Sequence, residues 1–128
     1  MMTRKVLVLE DEENIRAFVV INLKRAGYEV VQAGSGAEAL EKYQENTDVA
    51  VCILDVMLPG IDGYEATLQI RKAEQTSGHS AFIIGLTGNV YDSERQKCLD
   101  AGMNAYMPKP FDIDLFKSIL SKSGVAQF

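Results

Sequence analysis

The sequence predicts an α/β protein built on one parallel sheet with helices on both faces. Five short apolar runs of β type alternate with five longer segments whose apolar residues recur at helical spacing. Several runs are apolar at consecutive positions, as strands covered on both faces must be. Repeated strand–helix–strand units join parallel strands through right-handed crossovers. The alternation therefore predicts a single sheet in which every helix is a crossover.

The predicted strands are short and apolar, and they are separated by segments with turn residues. They span residues 6–9, 29–33, 49–54, 82–86 and 105–107. The first helix is indicated by four apolar residues at helical spacing: Ile15, Phe18, Val19 and Leu23. Gly27 is placed to end it. Ser35 is a suitable N-cap for the second helix, and Glu38 completes a capping box three residues later.

The remaining three helices are indicated by their capping residues. Asp62 can cap a third helix that runs to about residue 74, and the polar residues 75–80 are predicted to form a loop. A fourth helix is predicted over Asp92–Ala101, where Gly102 ends it. The fifth begins at Asp112 and carries an apolar stripe at helical spacing.

Length and composition exclude several classes of protein. The 128 residues fit one domain, predicted over residues 1–128 with its core at about 5–122. A net charge of −5 argues against a basic nucleic-acid-binding face. No apolar run approaches the roughly 20 residues of a membrane span, so we expect a soluble, cytoplasmic protein. Cys52 and Cys98 are expected to have structural roles, consistent with a reducing compartment.

The candidate site residues all follow predicted strands. Glu10 and Asp11 follow the first strand, Asp55 the third, Thr87 the fourth and Lys109 the fifth. A doubly wound (βα)5 sheet of flavodoxin-like type, with strand order 2-1-3-4-5, has its functional crevice at the carboxyl ends of the strands. All five side chains are therefore predicted to lie at one edge of the sheet.

These residue types suit a metal-assisted transfer of a phosphoryl group onto a carboxylate. Asp55 can act as the nucleophile, while Glu10 and Asp11 can hold a hard divalent cation. Thr87 and Lys109 can hold the oxygens of the phosphoryl group, since such transfers depend mainly on positioning and charge stabilisation. The alternative for Asp55 is a capping or solvated loop acid. The alternative role for Glu10 and Asp11 is to place negative charge at the N-terminus of the following helix, which its dipole favours.

Two segments carry a resemblance to a known family. The run from Leu54 to Gly63, LDVMLPGIDG, follows the third strand, and Lys109-Pro110-Phe111 follows the fifth. With the acid pair after strand 1, they resemble the receiver domain of two-component response regulators, of the chemotaxis-response-regulator type. The resemblance covers about residues 5–122.

The resemblance implies a phosphoprotein with Asp55 as the phosphoacceptor and Asp55, Thr87 and Lys109 as catalytic residues. It implies Mg2+ as the cofactor, with Mn2+ as a possible substitute. The metal ligands would be Glu10, Asp11, Asp55 and the backbone carbonyl of Met57. Thr87 and Tyr106 would form the switch, and the Lys109–Pro110 bond would be cis. Met57 and Asn89 match positions that tune the lifetime of the phosphoryl group.

The implied partners are a sensor histidine kinase or a histidine phosphotransfer protein as donor. A downstream protein, or a second copy of the chain, would read the face made by helix 4, strand 5 and helix 5. Neither a nucleic acid nor a membrane is expected as a direct partner. The protein would phosphorylate itself and slowly dephosphorylate, without turnover of external substrates.

Several alternatives stay open from the sequence. The chain could be an interaction module that works without phosphorylation. The preferred interpretation is a stand-alone receiver, and the alternative is a fragment or engineered chimera of a DNA-binding regulator or a hybrid histidine kinase. A haloacid-dehalogenase-type phosphatase is disfavoured because position 57, two residues after the nucleophile, is methionine. A flavodoxin is disfavoured because four acids occupy positions 10–13, where its phosphate loop would lie.

Overall fold

Five strands alternate with five helices in the part of the chain that the structure describes. A computed structural model describes residues 5–58, 60–88 and 92–123. The elements are β1 Lys5–Leu9, α1 Glu13–Arg25, β2 Glu29–Ala33, α2 Gly36–Glu45, β3 Val51–Asp55, α3 Gly63–Ser77, β4 Phe82–Thr87, α4 Asp92–Ala101, β5 Ala105–Pro108 and α5 Ile113–Lys122. Within the described ranges, no helix is long and apolar enough to cross a membrane.

The five strands form one parallel sheet in the order β2-β1-β3-β4-β5. The predicted fold class and strand order are therefore confirmed. The register pairs Leu9 of β1 with Leu54 of β3, and Asp55 with Leu86 of β4. Thr87 pairs in turn with Pro108 of β5. The carboxyl ends of β1, β3, β4 and β5 consequently meet at one edge of the sheet.

The sheet separates two apolar cores, and successive residues of each central strand alternate between them. On one side, Leu7 and Leu54 pack with residues of α2 and α3. On the other side, Val8 and Ile53 pack with residues of α1 and α5. Both cysteines are buried, as are two methionines of the core: Cys52, Cys98, Met103 and Met107. The predicted structural role of the cysteines is consistent with this burial.

Several element bounds differ from the predictions: β1, β4 and β5 are each one residue longer, and the larger differences are in β3 and α3. β3 begins at Val51, not at position 49, and it includes Asp55 as its last residue. α3 continues to Ser77, three residues beyond its predicted end. Residues 75–77 are polar but contain no helix breaker. The helix ends where Gly78 adopts a left-handed conformation with φ of 77°.

The predicted caps are confirmed, with one change of partner. Ser35 Oγ accepts the Glu38 N–H at 3.1 Å, and Asp62 Oδ1 accepts the Glu65 N–H at 3.0 Å. In a capping box Glu38 would reach back to the N–H of Ser35. Its carboxylate instead accepts the N–H of Gly34, at 2.6 Å. Asp112 is the N-cap of α5, which is helical from the next residue onward.

Candidate functional site

Glu10 occupies the turn that leaves β1, and its side chain points into the protein. Only 1% of the residue is exposed. Its N–H donates to the carbonyl of Ala33 at 3.1 Å, and its Oε2 accepts the Glu12 N–H at 3.3 Å. Asp11, the next residue, is exposed. The two neighbouring carboxylates therefore lie in different environments: that of Glu10 is buried and that of Asp11 is at the surface.

Asp55 is the last residue of β3 and is also 1% exposed. Its Oδ1 accepts the N–H of Met57 at 3.0 Å, and its Oδ2 accepts the ammonium of Lys109, also at 3.0 Å. The first residue of α3 packs on its backbone: a Cβ at Gly63 would lie 2.3 Å from the Asp55 carbonyl oxygen. The strand and the start of α3 together fix the position of this carboxylate.

Glu10, Asp11 and Asp55 form an acidic cluster. One carboxylate oxygen from each lies within 4.8 Å of the other two. Burial raises the pKa of Glu10 to about 7, and the hydrogen bond and charge of Asp55 contribute in the same direction. Glu10 Oε1 is buried and accepts no hydrogen bond from the part of the chain that the structure describes. Such a set of hard oxygen donors, one of them lacking a hydrogen bond, fits a divalent cation.

Lys109 approaches this cluster from the loop after β5. Its Nζ lies 3.5 Å from Glu10 Oε1, in addition to its bond to Asp55. Its N–H donates to the Thr87 carbonyl at 2.8 Å, and the bond from Lys109 to Pro110 is cis, as the resemblance implies. Burial works to lower the pKa of Lys109, but the hydrogen bond and charge of Asp55 outweigh it and raise that pKa.

Thr87 and Tyr106 lie close to this edge, on adjacent strands. Thr87 is buried at the end of β4. Tyr106 is half-buried on β5, in register with Gly85, and its ring packs against the core on the α2–α3 side of the sheet. Met57 is 70% exposed. The expected contact of its carbonyl with the metal stays a prediction, and Asn89 lies outside the described residues.

Two neighbours of the acidic cluster make contacts with it that the sequence does not predict, although one of them, Gly63, ends the run that carries the family resemblance. Gly63 contacts the Asp55 backbone, and Arg16 donates from Nη1 to the Glu10 carbonyl at 2.8 Å. A glycine at the first position of a helix and a basic residue on a surface helix are both ordinary. His79, which has no predicted catalytic role, lies away from the cluster, with its Nε2 2.7 Å from the Val49 carbonyl oxygen.

The fold and site define a doubly wound parallel α/β protein with an acidic cluster and a lysine at its switch point. The chain belongs to the response regulator receiver domain family, whose model matches residues 6–121. Over 112 residues it is 38% identical to the CAI-1 autoinducer sensor kinase/phosphatase CqsS of Vibrio cholerae, covering 88% of this chain and 16% of that protein. It is also 38% identical to the transcriptional regulatory protein PhoP of Bacillus subtilis, covering 98% of this chain and 52% of that one. The chain thus spans about half of one curated relative and a small part of the other.

Solved structures show the same fold. The chemotaxis protein CheY4 of Vibrio cholerae superposes with a TM-score of 0.84 at 32% identity, covering 95% of this chain and 98% of CheY4. A chain from the Saccharomyces cerevisiae complex of the histidine phosphotransfer protein Ypd1 with the receiver domain of Ssk1 gives a TM-score of 0.88 at 25% identity. That match covers 98% of this chain and 92% of the yeast chain. The family predicted from the sequence is confirmed.

Proposed function

We propose that this receiver is a phosphorylatable switch that accepts a phosphoryl group on Asp55 in a Mg2+-dependent reaction. The observation that carries the proposal is the convergence of three carboxylates and one ammonium at the carboxyl edge of the sheet. Asp55 belongs to the acidic cluster and also bonds to Lys109. An aspartate with a purely structural role at a strand end would need only one charged partner. A phosphoacceptor needs both a metal cation and a positively charged side chain.

The reaction is a displacement at phosphorus. An Asp55 carboxylate oxygen forms a bond to phosphorus while the bond from phosphorus to the donor nitrogen breaks. The donor imidazole keeps that electron pair. Lys109 then holds a phosphoryl oxygen in place of the free carboxylate, since its ammonium has three donors that can redistribute. Thr87, at the same edge, supplies a hydroxyl to another phosphoryl oxygen.

Glu10, Asp11, Asp55 and the carbonyl of Met57 are the proposed ligands of Mg2+, for which Mn2+ can substitute. The cation would neutralise negative charge as the phosphoryl group approaches. Few protein ligands are required, because Mg2+ keeps several of its waters. Support comes from the buried Glu10 Oε1, which accepts no hydrogen bond within the described ranges.

The proposed switch couples Thr87 to Tyr106. Thr87 moves toward the phosphoryl group and the Tyr106 ring turns into the space that it leaves. Support comes from the position of Tyr106. It pairs with Gly85, which lies two residues before Thr87 on β4, and its side chain is half-buried between core and solvent. The face formed by α4, β5 and α5 is the proposed readout surface, for a downstream protein or a second copy of the chain.

The proposed phosphodonor is a sensor histidine kinase or a histidine phosphotransfer protein, in the cytoplasm. The similar yeast complex pairs such a phosphotransfer protein with a receiver domain.

Beside Lys109, Ile15 is 42% exposed and Phe18 is 49% exposed, although both belong to the apolar stripe of α1. Together with Pro110 they line an apolar groove next to the site, suited to a donor's helix. The domain assignment, one receiver over residues 1–128, is part of this proposal.

The second candidate is an interaction module of the same fold that works without phosphorylation. The exposed apolar groove along α1 favours binding of a partner protein by either candidate. Only phosphorylation at the acidic cluster distinguishes the two. Either candidate is compatible with a chain that acts alone or within a larger regulator or kinase. Both kinds of relative extend well beyond the matched region.

Intact mass after incubation with acetyl phosphate, with and without Mg2+, tests the proposal. We expect one phosphoryl adduct that needs Mg2+ and is absent from Asp55→Asn. Asp62→Asn is the matched control, because it removes a nearby acid while asparagine caps a helix as well as aspartate. An unmodified wild-type protein that binds Mg2+ would favour the phosphorylation-independent module, and an adduct on Asp55→Asn would place the acceptor elsewhere.

A further inference from the structure

Arg16 connects α1 to the turn that carries the acids. Its Nη1 donates to the Glu10 carbonyl oxygen at 2.8 Å, and its Nε lies 3.4 Å from Gln32 Oε1 at the end of β2. The residue is half-buried and one helical turn into α1. None of the proposed catalytic steps uses it. Its bond nevertheless goes to the backbone of a proposed metal ligand.

The bond from Arg16 completes a clamp on the backbone around Glu10. The N–H of Glu10 donates to the Ala33 carbonyl at 3.1 Å, so β2 holds the peptide before Glu10. Arg16 holds the carbonyl that belongs to the following peptide, the one that joins Glu10 to Asp11. Because a peptide unit is planar, fixing that carbonyl also fixes the direction in which Asp11 leaves the turn. Asp11 is exposed, so core packing does not orient it.

The surroundings of Arg16 leave little room for another arrangement. A Cβ added to Gly34, in the loop between β2 and α2, would lie 3.2 Å from Arg16 Nη1. Gly34 also donates its N–H to Glu38, which fixes the loop. The guanidinium therefore lies between the Glu10 carbonyl and the loop at Gly34, where an added side chain would press on it.

We propose that Arg16 is a positioning residue of the cation site, which holds the Glu10–Asp11 peptide so that both carboxylates face Asp55. This inference rests on the proposed function. Residues that orient metal ligands without touching the metal usually change its affinity by about 10- to 100-fold when they are removed. We expect an effect of that size for Arg16.

Charge alone predicts the opposite result, which makes the inference testable. Arg16 is a cation near a site for a cation, so neutralising it should tighten Mg2+ binding if only Coulomb repulsion mattered. If Arg16 positions the ligands, the same substitution weakens binding. The sign of the change therefore distinguishes the two roles.

The experiment measures the Mg2+ dissociation constant by titration calorimetry for the wild type, Arg16→Gln and Arg16→Lys. We expect binding about 10- to 100-fold weaker for Arg16→Gln and an intermediate value for Arg16→Lys, which keeps the charge without the planar fork. Arg25→Gln, at the exposed end of the same helix, is the control and should bind as the wild type does. Equal or tighter binding by a folded Arg16→Gln would overturn the inference.

A second variant protects the test against loss of folding. Gly34→Ala keeps Arg16, but the added methyl group would press on its guanidinium, so we expect this variant to bind Mg2+ more weakly too. Thermal unfolding in EDTA reports whether Arg16→Gln and Gly34→Ala are folded. Phosphorylation by acetyl phosphate should return to the wild-type rate at saturating Mg2+, because only affinity has changed. A lower plateau rate with unchanged affinity would contradict the positioning role. A wild type that binds no Mg2+ would instead refute the proposed function.

Discussion

Lys109 Nζ lies 3.0 Å from Asp55 Oδ2, joining the end of β5 to the end of β3 across the intervening strand β4. The Asp55 side chain is 2% exposed and that of Lys109 is 29% exposed. The same ammonium lies 3.5 Å from Glu10 Oε1, so one positive charge serves two buried acids. Lys109 therefore compensates the acidic cluster whenever no cation does so.

Lys109→Met should destabilise the metal-free protein by about 1–3 kcal/mol, because it leaves buried carboxylates without their charged partner. Mg2+ should recover most of that loss, and should raise the melting temperature of the variant more than that of the wild type. Thermal unfolding in EDTA and in Mg2+ measures both effects. Lys117→Met, at an exposed position of α5, is the control. A variant as stable as the wild type in EDTA would show that Lys109 does not compensate the cluster.

The raised pKa of Glu10 predicts how metal-free stability depends on pH. Its pKa is about 7 in the folded protein against an ordinary value of 4.5. Between these values the folded state binds more protons than the unfolded state, so the contribution of Glu10 to stability falls as the pH rises. Glu10→Gln mimics the protonated acid and should therefore gain stability relative to the wild type from pH 5 to pH 8.

Urea unfolding in EDTA across this pH range measures the difference in free energy of unfolding between Glu10→Gln and the wild type. A constant difference between the two proteins would contradict the raised pKa. Mg2+ competes with the proton on Glu10, so wild-type affinity for Mg2+ should increase as the pH rises through 7. In Glu10→Gln this part of the pH dependence should disappear.

Gly63→Ala should be costly because the added Cβ would lie 2.3 Å from the Asp55 carbonyl oxygen. Overpacking of this kind typically costs about 1–3 kcal/mol, and here it displaces the backbone of the proposed acceptor. We expect both lower stability in urea and slower formation of the phosphoryl adduct. Gly88→Ala is the matched control, since a Cβ there meets no described atom within 4 Å. Equal stability of the two variants would refute the tight packing of α3 on β3.

Arg71 ties α3 to the amino ends of β4 and β5, away from the proposed site. It donates to the Gly102 and Ala81 carbonyls at 2.9 Å each, and to Asn104 and Glu74 side chains. Arg71→Met should cost about 2–4 kcal/mol, since it removes several hydrogen bonds at once. Urea denaturation gives the loss, with Lys72→Met as the exposed control. Phosphorylation of the folded variant should stay within about twofold of wild type, and a larger change would link this network to the site.

Local patterns in the sequence predict the fold well. Apolar runs and capping residues locate all five strands and all five helices, since both depend on residues close together in the chain. The predicted end of α3 is too early because residues 75–77 are polar but compatible with a helix, which continues to Gly78. On α1, helical spacing alone does not distinguish buried Val19 from half-exposed Phe18. Val19 packs in the core between α1 and the sheet, whereas Phe18 lines the groove beside Lys109 and Pro110.

The family, and the edge of the sheet where the candidate site lies, follow from the amino-acid sequence alone. Parallel strands in one order bring their carboxyl ends together whatever the side-chain details. The burial of Glu10 beside an exposed Asp11, and the bond from Arg16 to the peptide between them, emerge only from the folded structure. Such contacts join residues from different elements. They depend on how the helices and loops pack against the sheet, which no local pattern encodes.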